Sequence, residues 1–301
     1  MVFENGRSIG VTDAIHTAAD WPVLVLFGLL TQLGDGWFLF LLGGTLYVAG
    51  DQLPRWGIER RRGLFVLGLV LTAVALVGAL KAYFQLPRPP SVSGGDVLVL
   101  PPVLRSLFAT VATADGYGFP SGHALGSTMA WGGCALVLRR GSFRKRAGIA
   151  GVIIGLVALS RLVLGVHYLV DVVVGIVVGG LVLWSLYRLT DGGTRPGQVL
   201  LVATGVGSLG VLLGVTFESV AAVGAAAGAW VVWRAVADST PAHPTTRRAA
   251  VTGFVVLGAV GGLFVAITAL EPPLALTFLG SAVGAGGTVG APLLGERFAE
   301  W

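Results

Sequence analysis

Charge is scarce in this 301-residue sequence: 20 Lys+Arg and 15 Asp+Glu make up 12% of it, against 54% hydrophobic residues. Soluble domains carry about a quarter charged residues, so a water-soluble globule is excluded, in keeping with a mean hydropathy of +0.84. Cysteine occurs once, as Cys134 within an apolar run. That excludes an internal disulfide, a cysteine zinc cluster and haem attachment, and leaves Cys134 as a small packing residue. Met1 to Asp20 mixes both charge signs and shows no apolar core after a cationic start, so a cleaved signal peptide is not expected and the first span directs insertion. The net charge of +5 gathers in short clusters between apolar runs rather than in one stripe. It reads as membrane topology, and no nucleic-acid partner is expected.

What the sequence has is apolar runs of membrane-crossing length. About 20 apolar residues make one transmembrane helix, and charged punctuation sets runs near Trp37 to Gly50, Gly63 to Tyr83, His123 to Leu138, Ala147 to Leu164 and Leu169 to Tyr187. Four more follow, near Val199 to Phe217, Val220 to Val236, Val251 to Leu270 and Leu274 to Leu294. The expected fold is all-α, a polytopic transmembrane helical bundle with no room for a separate soluble domain. Trp21 to Leu33 is apolar but too short to cross, and Gly34-Asp35-Gly36 interrupts it; it reads as an interfacial or re-entrant helix, or else as an extension of the first span.

Alternate loops differ in basic residues. One set carries Arg55, Arg60 to Arg62, Arg139, Arg140, Arg144, Lys145, Arg146, Arg188, Arg195, Arg234, Arg247, Arg248 and Arg297; the other keeps Arg7, Lys81, Arg88, Arg105 and Arg161. Positive charge marks the cytoplasmic side, so the expected topology is a multi-pass cell-membrane protein with its N-terminus outside and its C-terminus cytoplasmic. Glycine is abundant, 47 residues, and recurs four apart at Gly175/Gly179, Gly210/Gly214, Gly224/Gly228, Gly258/Gly262 and Gly280/Gly284. That spacing lets helices approach closely in lipid and allows an oligomer through small-residue faces; a glycine-lined substrate pathway is the alternative. The proline-bearing connection Gln85 to Phe119 has an apolar middle, Val97 to Phe108, suited to lying on the outer leaflet.

Ionisable groups within apolar helices raise a functional hypothesis, and five need explanation: Lys81, His123, Arg161, His167 and Asp171. At 1.5 Å per helical residue, Lys81 lies roughly 28 Å from Arg62, His123 roughly 24 Å from Arg139, Arg161 roughly 22 Å from Arg146 and Asp171 roughly 26 Å from Arg188. Four helices therefore bring them to one level, the outer rim. Three cations, Lys81, Arg88 and Arg161, suit a dianion, and arginine's fork matches phosphate oxygens. Ser121 stands where it can cap a helix whose first-turn N–H groups face an anion, and Gly122 leaves room for close approach. His167 and Asp171, four apart, share a helix face; the carboxylate would fix the imidazole tautomer and leave the other nitrogen as nucleophile, with His123 as general acid. No metal ligand set stands out, because the site's acidic content is essentially Asp171, so the arginines would neutralise charge instead. Taken singly, Lys81 reads as a snorkelling side chain, as does Arg105, and His16 and His243 as structural or interfacial.

Together, Lys81-Ala-Tyr-Phe-Gln-Leu-Pro-Arg88-Pro89, Pro120-Ser121-Gly122-His123 and Ser160-Arg161 followed by His167 and Asp171 resemble the three-part signature of the type 2 phosphatidic acid phosphatase superfamily, the lipid phosphate phosphatases. Order, spacing and gap lengths fit over roughly Trp21 to Leu189. The resemblance implies phosphate binding by Lys81, Arg88, Ser121, Gly122 and Arg161, an acid His123, a nucleophile His167 and an orienting Asp171. It implies metal-independent hydrolysis of phosphate esters or diphosphates of membrane lipids through a phosphohistidine, without a cofactor, at the outer face. It also implies a six-helix phosphatase core, residues 1–190, with a C-terminal extension of about four helices, 191–301. The extension reads as a packing or dimerisation module, or alternatively as a wall admitting substrate or a coupled transport unit. A lipid or sugar phosphotransferase with the same site, and a transporter, are the competing functions; transporters place their sites near the midplane, whereas these groups collect at one rim.

Overall fold

The computed structural model describes residues 7–50, 57–90 and 116–299. All regular structure among them is helical: α1 (Val11–Thr17), α2 (Trp21–Leu30), a 3-10 turn (Thr31–Gly34), α3 (Gly36–Ala49), α4 (Arg60–Phe84), α5 (Gly122–Val137), α6 (Phe143–Val163), α7 (Leu169–Leu189), α8 (Pro196–Leu213), α9 (Phe217–Val236), α10 (Arg247–Leu270) and α11 (Leu274–Ala299). Each of the nine expected runs is a helix. Seven are long and apolar enough to cross a membrane, which makes this a multi-pass membrane protein; α3 and α5, with 14 and 16 residues, fall short of that length. The Trp21 to Leu33 stretch forms α2 and the 3-10 turn, bent by 118° from α1, the geometry of a broken span or re-entrant loop. Val97 to Phe108 and Arg105 lie outside the described residues.

Helix starts follow capping chemistry. Oγ of Ser121 accepts from the Ala124 N–H at 3.4 Å, Ser142 from Lys145 at 3.4 Å and Thr246 from Ala249 at 3.0 Å, each satisfying a first-turn donor that has no helical acceptor. Helix α4 ends on Gln85 at φ 50, just ahead of Leu86-Pro87-Arg88. Proline cannot continue a helix, and the chain turns there.

Helix α4 is the central post. One of its faces packs in a core with Leu125 and Met129 of α5, Leu183 and Leu186 of α7 and Val199 of α8. Another packs, through Leu64, Leu67 and Leu71, with Tyr47 and Val48 of α3, Leu200 and Ala203 of α8, Ala226, Ala229 and Trp233 of α9 and Val289 of α11. The C-terminal helices therefore wrap onto α3 and α4. Polar ties reinforce this at the far end from Lys81: Arg60 meets Glu296 at 2.9 Å, Tyr47 donates to the Val289 carbonyl at 2.7 Å, and Thr245 bonds Glu296.

Two of the glycine pairs do what their spacing predicts. A Cβ at Gly175 or Gly179 would sit 2.8 Å from the Ser121 or Leu125 carbonyl, so α7 lies directly against α5, and Gly224 and Gly228 similarly seat α9 on α11. Gly258 and Gly262 differ: no atom lies within 4 Å of either added Cβ, because that face of α10 points away from its neighbours.

Candidate active site

The C-terminal ends of α4 and α6 converge with the N-terminal ends of α5 and α7, bringing the residues of the depth argument together. His167 lies in the connection between α6 and α7, 1% exposed, and Nη1 of Arg88 stands 3.1 Å from its Nε2. A guanidinium only donates, so Nε2 is the unprotonated nitrogen and the proton sits on Nδ1, which faces Oδ2 of Asp171 at 3.6 Å. The same Arg88 nitrogen reaches the Val166 carbonyl at 3.1 Å, and its Nε reaches the Gly116 carbonyl at 3.1 Å. Burial, then the positive charges of Arg161, Arg88 and Lys81, hold His167 well below the ordinary imidazole range. Desolvation and like charge both disfavour the imidazolium.

Asp171 is fully buried and closes the first turn of α7, accepting from the Tyr168 N–H at 3.0 Å. Its other oxygen takes a 2.8 Å bond from Nη1 of Arg7, whose Nη2 donates to the Pro87 carbonyl at 2.7 Å. Arg7 is 4% exposed, with its guanidinium 5.1 Å from the Tyr168 ring centre. Sequence reasoning placed Arg7 only among the outer basic residues; nothing in local spacing links it to a carboxylate 164 positions away. Next to it, α1 straps the His167 loop: Thr12 donates to the His167 carbonyl at 3.1 Å and His16 to the Val163 carbonyl at 2.7 Å. His16 is thus structural, as expected.

Arg161 is 3% exposed, donates to Thr31 at 2.8 Å and keeps its Nε without a partner. Ser121 caps α5, and its N–H donates to the Asp171 carbonyl at 3.0 Å, locking the starts of α5 and α7 together. Gly122 has a second reason to be glycine: a Cβ there would lie 3.1 Å from Val77 of α4.

His123 faces Oδ2 of Asp35 at 3.5 Å, and its side chain keeps 23% of its exposure where His167 keeps 2%. The expectation that Asp171 is essentially the only acid of the site therefore needs amending. Asp35 caps α3 from between two glycines, and an aspartate directly before an apolar helix is a legible N-cap signal. It passed as mere punctuation in an apolar run. With Arg7 paired to Asp171, the cations Lys81, Arg88 and Arg161 still outnumber the described acids near them, Asp35 beside His123 and Glu218 towards Lys81.

A family model for the PAP2 superfamily matches residues 62–195. Those residues belong to the PAP2 superfamily. Its members are in general phosphatases acting on phosphate esters, and all eight site residues lie inside the matched segment, whereas Arg7, Asp35 and α8 to α11 beyond Pro196 lie outside it. Neither a curated protein nor a solved structure matches the chain.

Proposed function

We propose that this PAP2 protein hydrolyses phosphate esters or diphosphates of membrane lipids at the extracytoplasmic face, without a metal ion, through a phosphohistidine at His167. The observation that carries the reading is the Arg88 N–H on Nε2 of His167, because it leaves a lone pair, not a proton, on the nitrogen that faces the cations. A phosphate anion suits this excess of positive charge. On binding it takes over the Arg88 donor, and Arg161 Nε supplies a further N–H. Nε2 then attacks phosphorus while the bond to the leaving oxygen breaks and His123 gives that oxygen its proton. Asp171, 3.6 Å from Nδ1, stabilises the resulting cation. Water next attacks phosphorus, the phosphorus–nitrogen bond breaks, and His123 recovers a proton from the water. Lys81, Arg88, Ser121, Gly122 and Arg161 hold the phosphoryl oxygens throughout.

The membrane setting supports a lipid substrate, since the site sits at the rim of apolar helices, and the basic loops on the opposite side support an outward-facing site. The test is trapping of phosphate from labelled phosphatidic acid, phosphatidylglycerol phosphate and an isoprenyl diphosphate in the presence of EDTA. Acid-labile label on a His167 peptide and net retention at a chiral phosphorus are expected. Inversion, or near-normal turnover by His167→Ala, overturns the proposal.

A further inference from the structure

Below the site, α3, α4, α9, α10 and α11 enclose a cavity of about 310 Å³, lined by Trp37, Leu67, Leu71, Gly261, Phe264 and Ser281 among others. Its walls are almost wholly apolar. Ser281, 5% exposed, places an Oγ without any hydrogen-bond partner in this lining. The volume is at the lower end of small-molecule sites, about 300–1,000 Å³.

A stripe of α4 runs from the cavity lining towards the site. Leu67, Leu71, Val74, Gly78 and Lys81 are spaced four, three, four and three apart, one stripe of a helix. The first two line the cavity and the last is a site cation. Between them Val74 is 39% exposed, although α4 is otherwise the most buried of the long helices, and no atom lies within 4 Å of a Cβ built on Gly78. The short α3 explains the opening. Its Gly43 sits on Leu67, where a Cβ would come within 2.9 Å of the Leu67 Cα. Running antiparallel from there, α3 starts at Gly36, level with Val74, and does not extend over the Gly78 and Lys81 turns of this stripe. From Lys81 to Leu67 the stripe is roughly 21 Å long, against a hydrocarbon core of ~30 Å.

We infer that this stripe and cavity hold the hydrocarbon tail of the substrate lipid, so that the C-terminal helices supply the specificity wall for the chain of the leaving alcohol. The inference rests on the phosphate-ester reading above. The leaving oxygen takes its proton from His123, and His123 faces Asp35, the cap of the helix whose Trp37 lines the cavity. The tail thus departs on the cavity's side. An apolar chain there removes both its own surface and the cavity wall from a poorly packed void.

The experiment uses the full chain in detergent with hexadecyl phosphate and p-nitrophenyl phosphate. Gly261→Phe fills the cavity from a position whose added Cβ meets nothing within 4 Å, and Gly284→Leu, where a Cβ makes ordinary contact at 3.8 Å with Val260, does so from the facing helix. Either variant should lower the ratio of kcat/KM for hexadecyl over p-nitrophenyl phosphate at least tenfold, chiefly through KM. An unchanged ratio in both folded variants overturns the inference. A hexadecyl phosphate carrying a terminal diazirine should label peptides of α10 and α11, less in Gly261→Phe. Equal labelling by the diazirine alcohol, which lacks the phosphate, identifies a bilayer lipid instead and also overturns it. If no ester releases phosphate, the phosphatase reading fails while this labelling still decides the tail site.

Discussion

Arg88 donates to the Nε2 of His167 across 3.1 Å, and the guanidinium proposed to hold phosphate thereby also sets the tautomer of the imidazole. Histidine NMR on selectively labelled protein should show His167 titrating below 6.5, its ordinary value. Arg88→Gln removes one of the positive charges that disfavour the imidazolium, so the midpoint should rise. A midpoint at or above 6.5 in the parent protein contradicts the electrostatic account.

Arg7 and Asp171 form a buried pair, and removing one partner of such a pair leaves an uncompensated charge at a cost of about 3–5 kcal/mol. Arg7→Ala should therefore lower the midpoint of thermal unfolding in detergent by several degrees. Arg7→Lys should recover part of the loss, since it keeps the charge but not the two-pronged contact with Asp171 and Pro87. Equal stability of Arg7→Ala and the parent chain argues against the pair.

Asp35 stands beside His123, the proposed proton donor, and a positioning role would be visible in the leaving group. Asp35→Asn should slow hydrolysis of an alkyl phosphate by about tenfold or more, within the range of general-acid effects, and a p-nitrophenyl ester much less, because nitrophenolate needs little protonation. Asp35→Glu should restore part of the difference. Equal slowing on both esters points to a merely structural cap.

Single cysteines at Pro273 and Ser142, in a Cys134→Ala background, test the facing of the site. An impermeant thiol reagent on intact cells should reach only the Pro273 position, which lies at the same end of the helices as His167, the end proposed to face outward. Labelling of the Ser142 position alone reverses the orientation.

Much of this was legible in the sequence for a physical reason: each helix is an apolar run ended by charge, and burying Lys81, Arg161, His167 and Asp171 in such runs is too costly without a purpose. Capping by Ser121 was equally local. Arg7 was not legible, because its partner is fixed by how α1 folds across the α6–α7 loop. Asp35 was half-legible, as a helix start without a known neighbour. The second glycine rationale at Gly122 depends on Val77, which only the packed pair of helices reveals. Gly258 and Gly262 show the converse, a spacing rule met in sequence with no helix against it.

Helix α4 has a consequence for biogenesis. During synthesis its first face finds α5 and α7 early, but the second, with Leu64, Leu67 and Leu71, has only the short α3 beside it until α8, starting at Pro196, and then α9 and α11 are inserted. Arg60 likewise waits for Glu296 of α11. The helix that carries Lys81 is therefore fully seated from both sides only after α11 has been inserted. Ribosome-stalled chains ending before α11 should expose α4 to a lipid-phase crosslinker that the finished protein excludes.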